Sequence, residues 1–130
     1  MLGMNYWTDK WDLHEDICPC DVHVNDWIAD QGLKKKVIFH FGTGTHHVVG
    51  IEQSRNGSGN SVMGITASIE EYEAYIKLVS TNSAVAKSYI AYFGDIYLTN
   101  PRLLPDFDIV TMVHLCEFFF PNTASPEYGG

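Results

Sequence analysis

A chain of 130 residues, 45% hydrophobic and 18% charged, is sized and balanced for one folded domain, which excludes a disordered or low-complexity chain. Its net charge of −8 repels a phosphate backbone, so nucleic acid is not an expected partner. No apolar run nears the ~20 residues needed to cross a bilayer, and the first thirty residues carry Asp and Glu in place of a basic-then-apolar leader. The expectation is a soluble, cytoplasmic protein, and its three cysteines (Cys18, Cys20, Cys116) are not expected to form disulfides.

Residues 1–20 read as an irregular or helical cap, with Trp7, Trp11, Leu13 and Ile17 set among acids and Pro19 closing the stretch. Asp21 is the expected N-cap of a helix running to about Gln31, with Gly32 as its stop. Lys34-Lys35-Lys36 is too short for a basic patch and reads as a solvated junction before a strand. Val37 to Phe41 is that strand, and it enters the turn Gly42-Thr43-Gly44 and a helix from Thr45 to Gln53.

A loop rich in Ser, Asn and Gly (54–60) precedes a second strand, Ser61 to Thr66. Ser68 and Glu71 form a capping box ahead of Tyr72, Tyr75, Ile76 and Val79, whose spacing defines one helical face. Ser88 to Phe93 reads as a third strand ending at Gly94-Asp95, Pro101 and Pro105 break the next connection, and Phe107 to Leu115 reads as a fourth strand. This order predicts an α/β fold with a parallel, open sheet and right-handed crossovers.

In such a sheet the carboxyl ends of the strands share one edge, where ligands of open α/β folds bind. Gly42 and Gly44 let the backbone turn tightly and leave no Cβ between it and a ligand, and the next helix start offers free amides. The same glycine pair also serves an ordinary strand-to-helix turn. Asp95, at the same edge, is suited either to accept a hydrogen bond from an exocyclic amine or to cap its own turn.

Val37-Ile38-Phe39-His40-Phe41-Gly42-Thr43-Gly44 is similar to the glycine-rich first motif of class I methyltransferases that use S-adenosylmethionine (SAM). Val62 to Ser68 resembles their second strand, Gly94-Asp95 the acidic end of their third, and Phe107-Asp108-Ile109-Val110 the start of their fourth. The resemblance covers about residues 37 to 115. It implies a partial Rossmann-like sheet of strand order 3-2-1-4, with helices on both faces and an N-terminal cap.

It also implies a single SAM-binding domain over 1–130 that is truncated after the fourth strand, where the family has three more. Gly42 and Gly44 would line the methionine and ribose of SAM, and Asp95 would hold the adenine amine. Phe41, Thr43, Thr66, Ala67 and Ile96 complete the implied cofactor contacts, and His114 and Glu117 would face the transferring methyl. Three departures stand out: Thr66 occupies the family's acidic position, with Glu70 and Glu71 only nearby; His46 or His47 replaces its third glycine; and the later strands are missing.

Methyl transfer to an acceptor would then need a partner or second copy. A fourth strand left at the sheet edge predicts a homo-oligomer formed through it, burying Phe118-Phe119-Phe120. The alternative from another class is a non-catalytic nucleotide-binding or assembly module, and a NAD site is disfavoured because Thr66 carries no acid. Cys18, Cys20 and His23 do not have a standard zinc spacing, so no metal is expected. His40, alternating with Ile38, is expected to pack in or beside the sheet, and Cys116 to be an inert thiol.

Overall fold

A computed structural model describes residues 19–113. Four parallel strands form one sheet in the order β3-β2-β1-β4: β1 (Val37–Phe41), β2 (Ser61–Thr66), β3 (Tyr89–Phe93) and β4 (Ile109–Met112). The first two strands match their predicted bounds. The fourth is shorter than predicted, and its expected end, His114-Leu115, lies outside the described residues.

Four α-helices, α1 (Pro19–Asp30), α2 (Val48–Arg55), α3 (Ile69–Thr81) and α4 (Ser83–Ser88), make a contiguous layer over one face. Ile38, Val62, Tyr89 and Ala91 point from the strands into that layer and meet Ile28, Val49 and Val85 in the core. The link from β3 to β4 holds two 3₁₀ turns, Ile96–Leu98 and Pro101–Leu103, and Phe107 at its end packs on Phe39, on the opposite face, with ring centroids 5.1 Å apart. That placement follows from right-handedness, since β1 to β3 advance in one direction across the sheet and β4 lies in the other.

Local chemistry explains most of the boundaries. α1 ends as expected at Gly32, whose φ of 62° supports a Schellman turn: Gly32 N donates to Ala29 O (2.9 Å) and Leu33 N to Ile28 O (3.1 Å). Its start corrects the sequence reading. Pro19 and Cys20 are already helical, so Asp21 is not the N-cap but lies within the helix, fully buried against the sheet.

α2 starts at Val48, three residues later than predicted, because His47 takes a left-handed conformation (φ 50°) and holds the preceding residues in turns. Ser68 caps α3 by accepting from Glu71 N at 3.3 Å, yet the reciprocal half of the box is rerouted. Glu71 turns its carboxylate to the Thr66 hydroxyl, and Thr66 Oγ1 accepts from Ser68 N at 3.0 Å in its place. Of the predicted apolar face of α3, Tyr75 and Val79 pack on the core with Leu78, whereas Ile76 is exposed. α4 had no counterpart in the sequence reading; Asn82 caps it by accepting from Val85 N at 3.3 Å.

Candidate functional site at the carboxyl edge of the sheet

The ends of β1, β2 and β3 lie side by side on one edge, so the glycine turn, Thr66-Ala67 and Gly94-Asp95 are neighbours through the strand order. Two backbone bonds extend the sheet past its formal ends: Gly94 N to Thr66 O (2.8 Å) and Val113 N to Phe41 O (2.9 Å). At the other end Asp108 pins β4 to β1, its N donating to Val37 O and its carboxylate accepting from Val37 N, both at 2.8 Å.

The two glycines of the turn do different work. At Gly42 (φ 92°) a Cβ would sit 2.1 Å from the Val113 carbonyl oxygen, so the bare backbone is what lets β4 close against β1. At Gly44 (φ 60°) a Cβ would meet none of the described residues within 4 Å. The space beside Gly44 is open at the edge where a ligand would approach.

Thr66 occupies the end of β2, and its hydroxyl brings the Glu71 carboxylate to that position. The first turn of α3 thus places a carboxylate at the end of β2. Asp95 Oδ1 accepts from Tyr97 N at 2.9 Å, so the capping role is realised in the structure. Ile96 and Ala67 are half-buried beside these groups.

A buried polar cluster underlies the turn on the helical face. His40 on β1 is 1% exposed; its Nδ1 is 2.7 Å from Thr111 Oγ1 on β4, and its Nε2 is 3.3 Å from Asp21 Oδ1 on α1. His40 thus packs into the sheet as expected. His47 at the head of α2 engages both ring nitrogens, Nδ1 with the Tyr89 hydroxyl at 2.5 Å and Nε2 with the Glu71 carbonyl at 2.7 Å. These bonds span 42 and 24 residues of chain, so no local pattern announces them. Only the departure at His46-His47 from a third glycine marked the position.

Burial pushes the His47 ring below its ordinary value of 6.5, against smaller opposing effects of the Glu71 carbonyl and Asp21. Burial likewise drives the Tyr89 phenol far up. Because the folded state resists protonating His47 more than the unfolded state does, His47 favours folding fully above pH 6.5, and that contribution is lost as pH falls from there towards the depressed native value. Denaturant titrations between pH 8 and 5 should show the decline, and His47→Asn should flatten it; asparagine tolerates the left-handed backbone. An equal decline in the variant would refute the assignment.

A groove of about 730 Å³ between α1, α2 and the 56–58 loop, and a hollow of about 230 Å³ by Val37, Ser61 and Pro105, include no residue of the glycine turn. Among the described residues no three His, Cys, Asp or Glu side chains gather to hold a metal. Cys18, Cys116 and the proposed methyl-facing residues His114 and Glu117 lie outside the described residues.

Several solved structures share this architecture. The methyltransferase domain of a bacterial Hen1 protein superposes with a TM-score of 0.58 at 17% identity, over 79% of this chain and 52% of that one. A Pyrococcus horikoshii protein assigned as an RNA methyltransferase gives 0.55 at 19% identity, over 72% and 42%. Coclaurine N-methyltransferase, bound to N-methylheliamine and S-adenosylhomocysteine (SAH), gives 0.54 at 10% identity, over 77% and 28%.

This is a class I methyltransferase fold. No family model and no curated protein matches the chain, and at these identities the likeness speaks for the fold alone. The chain spans about half or less of the length of these three methyltransferases. Their shared architecture agrees with the parallel 3-2-1-4 sheet and its helices. No described helix is long and apolar enough to cross a membrane.

Proposed function

We propose that the chain binds SAM at the carboxyl edge of its sheet and serves methyl transfer. The observation that carries this reading is the open space beside Gly44, on the same edge as Asp95. Phe41, Gly42, Thr43 and Gly44 line the methionine and ribose part, with the turn amides as donors. Thr66 and Ala67, with the Glu71 carboxylate that Thr66 holds, face the ribose hydroxyls. Asp95 and Ile96 receive the adenine. Bound SAM supplies an electrophilic methyl group, and the protein's task is to hold an acceptor in line with it; His114 and Glu117 are the candidates for that side.

Calorimetry with SAM, SAH, NAD and ATP tests the reading, which expects SAM and SAH to bind and NAD and ATP not to. Asp95→Ala is expected to weaken SAH binding by about 1–3 kcal/mol, the worth of a hydrogen bond to a charged group together with its lost partner. Because Asp95 also caps the Ile96–Leu98 turn, Asp95→Asn is the control: it keeps a capping oxygen and should lose only the charge-assisted part. Unchanged SAH affinity in both variants would remove Asp95 from the site.

We place the protein in the cytoplasm and away from nucleic acid, on its −8 charge. Self-association through β4 is expected, since that edge strand holds no charged residue and leaves Val110 and Met112 exposed. A strictly monomeric sedimentation profile at high micromolar concentration would contradict it. The second reading, a non-catalytic nucleotide-binding or assembly module, is favoured by the exposed Ile90, Tyr92, Val110 and Met112 on the face away from the helices. It gains ground if oligomers form and no adenosyl ligand binds.

A further inference from the structure

Thr43 sits between the two glycines of the turn, and its buried hydroxyl makes no close hydrogen bond among the described residues. It neighbours Tyr89 across Gly64, where an added Cβ would lie 2.5 Å from the Thr43 methyl and 3.2 Å from the Tyr89 hydroxyl. Tyr89 in turn faces His47 Nδ1 at 2.5 Å. A ledger of hydrogens fixes who donates. The Glu71 carbonyl only accepts, so His47 Nε2 carries the hydrogen that spans their 2.7 Å. In the neutral ring Nδ1 is then a lone pair, and the single Tyr89 hydrogen must point at it.

Thr43 is left without that hydrogen for the same reason. When His47 gains a proton, Nδ1 becomes a donor, the Tyr89 oxygen must accept from it, and the phenolic hydrogen is released. The buried Thr43 oxygen is the neighbouring acceptor that lacks a bond.

We infer that Tyr89 is a positioning residue for the glycine turn, and that its one hydroxyl hydrogen is a latch held by His47 in one state and by Thr43 in the other. The latch is sealed in: Tyr89 is 2% and His47 1% exposed, and a Cβ on Gly64 would lie 2.5 Å from the Thr43 methyl and 3.2 Å from the Tyr89 hydroxyl. The groups that face His47 are Asp21 from α1, His46 beside it, the Tyr75 ring and the Glu71 carbonyl from α3, and Tyr89 from β3. Drawing Thr43 towards Tyr89 alters the turn between Gly42 and Gly44, so the position of one buried proton reaches the ligand edge. This last link rests on the turn being the cofactor site; the latch itself does not.

The experiment is a nuclear magnetic resonance titration of ¹⁵N-labelled, ligand-free protein from pH 8 to 5, followed by SAH calorimetry at pH 7.5 and 5.5. At pH 8 the His47 ring should carry its hydrogen on Nε2. The Thr43 and Gly44 amides should then move with the same midpoint as the His47 ring. In Tyr89→Phe the ring should still titrate while the turn amides no longer follow. If that variant does not fold, His47→Asn should abolish the turn transition outright.

An Nδ1-protonated ring at pH 8 overturns the latch, as do turn amides that track His47 in Tyr89→Phe or still titrate in His47→Asn. SAH affinity should fall about two- to tenfold at pH 5.5, the worth of one hydrogen bond, and should stay level in the variant. Coupled amides with level affinity in the parent would refute the positioning role. A parent that binds no SAH at either pH would refute the cofactor reading, and the ligand-free titration would still decide the latch.

Discussion

Gly42→Ala is expected to destabilise the protein by about 3–5 kcal/mol, a large share of the stability of a domain this size. The added Cβ would lie 2.1 Å from the Val113 oxygen and 2.9 Å from its carbonyl carbon. Backbone on both sides leaves no flexible side chain to give way. Relief requires β4 to move off β1, which breaks the 2.9 Å bond from Val113 N to Phe41 O, and overpacking of this kind costs about 1–3 kcal/mol on its own. The positive φ adds about 1–2 kcal/mol for any L-residue.

Gly44→Ala is expected to carry only that conformational cost, because none of the described residues stands within 4 Å of its Cβ. Denaturant melts of the two variants should therefore separate widely. Equal losses would mean that the close approach at Gly42 is not what holds β4.

Tyr89→Ala is expected to cost about 3–5 kcal/mol, as for other buried aromatics cut back to alanine. Space around the ring has been cleared by glycine on two elements. A Cβ on Gly50 of α2 would lie 2.4–2.6 Å from ring carbons, and one on Gly64 of β2 3.2 Å from the hydroxyl. Tyr75 packs edge-on against it at 5.6 Å and the His47 ring lies at the same distance, so deletion empties the junction of α2, α3 and the sheet while leaving His47 Nδ1 buried and unpaired. Tyr89→Phe should lose less, about 1–3 kcal/mol, since only the hydrogen bond goes. Chemical denaturation of both variants gives the comparison, and parity between them would show that the ring contributes little.

The strands β1 and β2 were legible because β-branched and aromatic runs are bounded by Lys34-Lys35-Lys36, the glycine turn and the loop at 54–60, all of which act locally. Strand order was implied by the resemblance to class I methyltransferases, and the parallel 3-2-1-4 sheet agrees with it. Asp21 was misread because a caps-like residue after proline looks the same whether it faces solvent or His40. α4 escaped because six residues show no period of 3.6.

The site was legible in outline only: the turn and Asp95 share an edge, but the Glu71 carboxylate at Thr66 and the His47–Tyr89 pair depend on tertiary packing that no spacing encodes. The capping box at Ser68 and Glu71 shows how one residue type admits two fates, since Glu71 left the box for Thr66.

Calorimetric titration of SAH into the parent protein and into Gly44→Val tests the central claim most directly. Valine at φ 60° places a branched side chain where the adenosyl ligand is proposed to approach, while its Cβ meets none of the described residues within 4 Å. The account predicts stoichiometric binding by the parent and none by a folded Gly44→Val; a parent that binds no SAH, or a variant that binds it as tightly as the parent, would contradict it.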